Sequence, residues 1–261
     1  MKKWLQSVFL VGFITFFCFL VSGTPQPIKP ALHTQLECSG ILEIPSKFFN
    51  MEPDFGSGMF INNNDNPYFI TNAHLGMSME GKPYPFRIIK KKFCDGMVIE
   101  AYAPVVCDFK NLDIALVQLE PGIPMKPDHP ISFCTNFSKE RLHIGDEVNY
   151  FGMPGFQCVP FLYSGKISHL SVPTNPIFGK KYTGMGINTQ AIGGNSGSGI
   201  FNGKGECIGI LSSTVPNGNQ TIFVTATSIR EEFRKAGIED LLNGTFTRSL
   251  KKEYQGIAKC H

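Results

Sequence analysis

The residues best placed to do chemistry lie in Ile187-Asn188-Thr189-Gln190-Ala191-Ile192-Gly193-Gly194-Asn195-Ser196-Gly197-Ser198-Gly199-Ile200-Phe201. Glycine reaches backbone angles closed to other residues and lets the main chain approach a bound group. A serine on such a turn can attack a carbonyl while the N–H groups of Gly194 and Ser196 hold the developing oxyanion. Taken alone, Gly-Asn-Ser-Gly also describes a plain surface loop. Two upstream stretches weigh against that. Phe69-Ile70-Thr71-Asn72-Ala73-His74 is an apolar strand ending in a short polar turn with a histidine. Asn111-Leu112-Asp113-Ile114-Ala115-Leu116-Val117 sets an aspartate at the mouth of another strand. His, Asp and Ser in that chain order supply a general base, its orienting carboxylate and a nucleophile. Asp108 and Asp95 are the neighbouring alternatives for the carboxylate. His33, His129, His143, His169 and His261 sit in no comparable context and read as structural or surface residues.

These segments resemble the chymotrypsin-like (trypsin-type) serine peptidases, in particular the branch that holds the HtrA peptidases and the glutamyl endopeptidases. The resemblance runs from about Gly56 to about Phe233. It takes in Gly56-Ser57-Gly58 before the histidine strand and Gly145-Asp146-Glu147-Val148 leading to Phe151-Gly152-Met153-Pro154. It continues through Ser164-Gly165-Lys166-Ile167-Ser168 and Gly203-Lys204-Gly205-Glu206-Cys207-Ile208-Gly209-Ile210. It implies an all-β fold: two six-stranded antiparallel β-barrels with the active site between them and a short C-terminal helix. Carried over by position, His74 is the base, Asp113 its orienter and Ser196 the nucleophile. The expected activity is peptide-bond hydrolysis through an acyl-enzyme, with protein or peptide substrates. The alternative is a catalytically silent homologue that acts as a peptide- or protein-binding module.

The resemblance also puts Gln190, six residues before the serine, at the base of the primary specificity pocket. An aspartate there would favour Lys or Arg substrates, and it is absent. Where glutamyl endopeptidases carry polar groups, this chain has Ala191 and Leu211. A neutral, small or apolar side chain is therefore the expected preference. Ser212, Ser213 and Thr214 would line the pocket and pair with substrate backbone as an added strand. Asn195 stands where many trypsin-type enzymes hold an aspartate for a newly cut amino terminus, so no zymogen switch of that kind is expected. HtrA peptidases carry a PDZ domain after the protease; with about 30 residues following the last expected strand, no such domain is expected here.

The elements that would carry these residues follow from patterning. Lys2 and Lys3 precede an apolar run from Val8 to Val21 that ends at Ser22-Gly23, the form of a secretory signal over residues 1–23. An uncleaved membrane anchor is the competing reading, and either way export is expected, to a secreted or periplasmic location. Residues 24–35, with Pro25, Pro27 and Pro30, read as an extended linker, and residues 36–242 as the protease domain. Within it the first barrel is expected over about 36–122 and the second over about 142–227, with a proline-rich crossing between them. Short strands at regular turn spacing support both. Ser228-Ile229-Arg230-Glu231 is a capping-box pattern that opens a closing helix over about 228–237. The tail, 243–261, has no clear periodicity.

Composition narrows the remaining classes. The net charge is +3 and includes Lys2 and Lys3, so the rest of the chain stands near +1. No basic surface for nucleic acid is indicated. No two-histidine helix motif or zinc-type Cys/His spacing appears, so neither metal nor cofactor is expected. A membrane partner is expected only if the leader stays uncleaved. Of the eight cysteines, Cys18 lies in the leader. An odd number remains: Cys38, Cys94, Cys107, Cys134, Cys158, Cys207 and Cys260. Cys94 with Cys107, and Cys38 with Cys134, are the pairs expected to form disulfides in an exported chain. The disulfide that the family often places beside its histidine is ruled out, because Leu75 follows His74. Asn136, Asn219 and Asn243 head glycosylation sequons.

Overall fold

The apolar runs pair as strands and assemble two sheets. The computed structural model describes residues 30–44, 54–62, 67–76, 86–89, 102–103, 105–109, 111–119, 132–154, 160–174, 182–215, 220–247, 250 and 258–259. The leader, Cys94, Asp95, Cys158, Asn219 and Cys260 lie outside the described residues. The elements in the first half are α1 (Pro30–Cys38), β1 (Ser39–Ile44), β2 (Asp54–Ile61), β3 (Tyr68–Thr71), α2 (Ala73–Gly76), β4 (Phe86–Ile89), β5 (Tyr102–Ala103), β6 (Val105–Phe109) and β7 (Ile114–Gln118). The second half contributes β8 (Glu147–Gly152), β9 (Phe161–Pro173), β10 (Thr183–Ile187), β11 (Gly199–Asn202), β12 (Cys207–Thr214), β13 (Thr221–Thr225), α3 (Ala226–Lys235), a 3-10 turn (Glu239–Asn243) and β14 (Ala258–Lys259).

The second lobe is a closed barrel in the order β10-β13-β12-β11-β8-β9. Its interior is filled by Val148, Tyr150, Ile167, Ile187, Ile200 and Phe223, the inward positions of alternating strands. The first lobe differs from the six-stranded barrel expected there. Its strands form an eight-stranded sheet, β14-β6-β7-β3-β2-β1-β4-β5, that does not close among the described residues. One edge is occupied from the far end of the chain: β14 lies parallel to β6, with Ala258 opposite Cys107 and Lys259 opposite Asp108. A two-residue strand has no period to display, which is why the tail looked structureless. Phe246 and Leu250 of the same tail are buried, and the Leu250 N–H donates to the Tyr68 hydroxyl at 3.0 Å.

Between the lobes lies one continuous apolar core. Met59, Ile70 and Ile114 of the first lobe meet Phe201 and Ile210 of the second, with Ile229 and Phe233 of α3 closing over them. The Phe109 and Phe233 rings stack at 4.9 Å, so the closing helix also grips β6. The crossing segment stitches the two sheets through backbone. The Cys134 N–H donates to Phe60 O at 2.8 Å, and the Cys207 N–H donates to Asn136 O at 2.9 Å.

Three further expectations change. Residues 30–35 are helical rather than extended, because a proline at the first helical position has no N–H to lose and its φ suits the helix. The closing helix starts two residues earlier than the capping box implied. Thr225, extended at φ −73° and ψ 150°, accepts the Ser228 N–H at 3.1 Å, so Thr225 is the cap and Ser228 lies inside the first turn. The helix ends at Lys235, two residues before the expected end, with Ala236 as its cap; Gly237 (φ 70°) follows, and the Ile238 N–H returns to Phe233 O at 2.8 Å. As for the thiols, Cys38 and Cys134 are brought together, but as thiols and not as the expected disulfide, and Cys207 joins them as a third buried thiol. Burial pushes the Cys207 thiol well up. Cys107 lies on β6.

Thr225→Ala should lower stability by about 1 kcal/mol, a melting shift of roughly 2–4 °C. Ser228→Ala should stay within about 0.5 kcal/mol. Paired thermal melts check this, and the reverse ranking would restore Ser228 as the cap.

Candidate active site

His74 arrives on β3, which is buried on both faces and hydrogen-bonded between β2 and β7. The strand stops at Thr71, and the short helix α2 turns His74 back toward the start of β7. There Asp113 adopts φ +57°, a left-handed conformation that short polar side chains tolerate best. Two donors hold its carbonyl in place: Asn72 Nδ2 at 3.0 Å and the Ala73 N–H at 3.1 Å. The turn that carries the histidine thus grips the backbone that carries the aspartate. The carboxylate then faces His74. Oδ1 accepts the His74 main-chain N–H at 2.9 Å, and Oδ2 lies 2.8 Å from Nδ1. The Asp113 side chain is only 6% exposed, against 18% for His74, so the pair presents the ring to solvent and hides the charge. Oδ2 takes a second bond, from Ser212 Oγ at 2.6 Å. Of the alternative carboxylates, Asp108 lies on β6 with its backbone opposite Ala115.

Ser196 sits on the loop that enters β11. Gly194 and Gly197 bracket it with φ of +96° and +91°. At Gly197 a Cβ would lie 1.9 Å from Ser57 O, so a side chain is excluded by space as well as by conformation. The close approach exists because Ser57, on β2, clamps the loop: its N–H donates to Ser196 O and its Oγ to Gly194 O, both at 2.7 Å. On the other side Gly197 N–H reaches Leu211 O at 2.9 Å. The N–H groups of Gly194 and Ser196 donate to no backbone carbonyl among the described residues. The Ser196 hydroxyl is directed at Ser212 O, at 3.4 Å. Asn195 is fully buried, its amide without a hydrogen-bond partner among the described residues. It lies close against Gly152, where a Cβ would come within 2.3 Å of its Oδ1.

A cavity of about 300 Å³ opens over these groups and takes in His74, Asp113 and Ser196. Ala191, Leu211, Ser212 and Ser213 line it, as do Thr174 and Tyr182. Gln190 does not: its side chain is exposed, and its carbonyl faces the Tyr150 hydroxyl at 3.5 Å. The residue expected at the pocket base therefore lies outside the cavity. Two residues with no assigned role in the sequence reading matter here. Ser57 was visible only as part of a Gly-Ser-Gly match, and nothing near Tyr182 in sequence signals that its hydroxyl meets Ser212. Among the described residues no group of three or more His, Cys, Asp or Glu side chains is arranged to hold a metal ion.

A six-stranded barrel facing a second β-sheet, with a carboxylate-backed imidazole and a loop serine opening on one cavity between them, defines a trypsin-like fold. The chain belongs to the trypsin-like peptidase domain family, which matches residues 56–210. It is 30% identical over 183 residues to a glutamyl endopeptidase of Staphylococcus aureus strain MRSA252, covering 66% of this chain and 47% of that protein. A glutamyl endopeptidase of strain MW2 aligns at 30% identity over 133 residues, 49% of this chain and 37% of the other. The chain thus spans about half or less of the length of these relatives. The active form of the Rv3671c protease from M. tuberculosis superposes with a TM-score of 0.60 at 17% identity, over 87% of this chain and 92% of the other. The HtrA-type protease AlgW, solved with a tripeptide, superposes at 0.59 and 20% identity, over 80% of this chain and 62% of the other. At those identities the two structures attest the shared fold.

Gly197→Ala should lower stability by more than about 2 kcal/mol, combining left-handed strain with overpacking against backbone. Gly193→Ala, where a Cβ meets nothing within 4 Å, should melt close to wild type. Equal melting of the two variants would contradict the close packing of Gly197 against Ser57.

Proposed function

We propose that the protein is an exported serine endopeptidase that cleaves peptide bonds through Ser196, with His74 as general base and Asp113 as its orienting carboxylate. The observation that carries this reading is the His74–Asp113 pair opening onto the cavity that also contains Ser196. Asp113 holds a proton on Nδ1 and so leaves Nε2 as the basic nitrogen. Rotation about χ1 to another staggered position turns the Ser196 hydroxyl from Ser212 O toward that nitrogen. His74 then takes the hydroxyl proton as Oγ bonds to the substrate carbonyl carbon. Negative charge gathers on the carbonyl oxygen, and the N–H groups of Gly194 and Ser196 receive it. Collapse expels the amine, which takes its proton from His74, and a water activated by the same imidazole releases the acyl group.

Protein substrates follow from the family; the preference within them is this chain's own. The relatives named above are glutamyl endopeptidases, and a carboxylate side chain would call for a cationic partner. Among the described residues that line the cavity, His74 is the only cationic candidate. Ala191 and Leu211 offer an apolar wall instead, and Ile192, 57% exposed, adds an apolar rim. A neutral, small or apolar side chain before the scissile bond fits these surfaces. Export is inferred from the charged and apolar leader. Among the described residues no helix is long and apolar enough to cross a membrane.

A fluorophosphonate should label the folded protein, and Ser196→Ala and His74→Ala should each abolish labelling. Asp113→Asn should lower kcat by about 10⁴. A folded wild type that takes no label would overturn the enzyme reading in favour of a silent, peptide-binding relative.

A further inference from the structure

Behind the His74–Asp113 pair runs a chain of hydroxyl groups. The Tyr182 O–H donates to Ser212 Oγ, and Ser212 Oγ donates to Asp113 Oδ2 at 2.6 Å. A serine hydroxyl has one proton and a free rotor. Once its oxygen is occupied by the phenol proton, its own proton remains to be given to Asp113. Tyr182 is well fixed for this: it is 7% exposed, and its carbonyl accepts both the N–H and the Oγ of Thr174 at 2.9 Å. Tyr182 immediately precedes β10 while Ser212 lies in β12, and β13 separates these strands in the barrel. The contact is therefore a side-chain bridge and not a consequence of strand pairing. Burial, and after it the negative charge of Asp113, push the Tyr182 phenol up to about 12, so it keeps its proton at neutral pH.

We infer that Tyr182 is a positioning residue for the Asp113 carboxylate, acting through Ser212 to set how much of the charge on Oδ2 is left for His74. The inference rests on reading His74, Asp113 and Ser196 as one catalytic set. Oδ2 is shared between Ser212 Oγ and His74 Nδ1. Hydrogen bonds in a chain polarise one another, so donation by Tyr182 strengthens donation by Ser212. A stronger bond from Ser212 satisfies more of the carboxylate charge, moderates its pull on the Nδ1 proton, and fixes the carboxylate in the plane of the ring. Tyr182 also lines the cavity, so a group bound against the phenol would act on Asp113 by the same route.

The test is proton NMR of the His74 Nδ1–H resonance at fixed pH, beside kinetics on a small ester. Tyr182→Phe keeps the ring and removes the donor; the resonance should move to lower field, and kcat should fall roughly 2–10-fold with KM unchanged. Ser212→Ala should move it further in the same direction. The double variant should lie close to Ser212→Ala alone, because among the described residues the hydrogen-bonded route from Tyr182 to Asp113 runs through Ser212. Placing 3-fluorotyrosine at 182, a more acidic donor, should move the resonance the opposite way even if Tyr182→Phe folds poorly. A resonance that ignores both changes at 182, or single-variant shifts that add in the double variant, would overturn the relay. The resonance is read without turnover. A wild type that takes no fluorophosphonate would therefore sink the proposed activity while leaving this test intact.

Discussion

The site depends on Ser57. Its three polar groups are all spent: the N–H goes to Ser196 O and the Oγ to Gly194 O across the lobes, and the carbonyl accepts Thr71 Oγ1 at 2.7 Å within the first sheet. Thr71 ends the strand that delivers His74, and Gly194 to Ser196 is the stretch that presents the serine. One buried residue, 1% exposed, therefore ties the serine loop to the strand that leads to the imidazole. The glycines around the serine are a consequence. The loop can come within bonding distance of Ser57 only if Gly197 carries no side chain, and the left-handed angles at Gly194 and Gly197 turn the chain back on itself.

The second constraint is electrostatic. A carboxylate as enclosed as Asp113 is costly to bury unless its oxygens are bonded. Here three donors meet it: the His74 N–H, His74 Nδ1 and Ser212 Oγ. Two of the three belong to His74, so the requirement to satisfy the charge is also what fixes the ring. The backbone works in the same direction, since Asn72 and Ala73 hold the Asp113 carbonyl while its φ stays positive. Separating His74 from Asp113 would leave a buried charge short of donors, which makes the pair structural and chemical at once.

These constraints explain what was legible in the sequence. His74, Asp113 and Ser196 stood out because each closes or opens a strand, and strand ends bordered by glycine or short polar residues are visible in a single sequence. The second barrel was legible for the same reason: its strands are short and its turns regularly marked. Contacts between remote residues were not. Ser57 to Gly194, Tyr182 to Ser212 and β14 to β6 span long stretches of chain and leave no local pattern. Local signals misled where two readings competed. Pro30 suits an extended linker or a first helical turn, and Thr225 and Ser228 are both good caps; the helix formed at Pro30, and Thr225 took the Ser228 N–H. Gln190 shows the limit of counting back from the serine, since a loop position carries no information about which way the side chain points.

Asn195 draws the argument together. A neutral amide costs less to bury than an unpaired carboxylate, which would need a cation brought into the same apolar surroundings. An enzyme that uses an aspartate there can tie loop order to the arrival of a positive terminus. With an asparagine packed against Gly152, the loop has no charge to wait for. Its order comes instead from neutral bonds to Ser57 and Leu211, groups already in place once the two sheets meet. The same docking that builds the interlobe core of Met59, Ile70, Phe201 and Phe233 therefore also brings Ser57 against the serine loop.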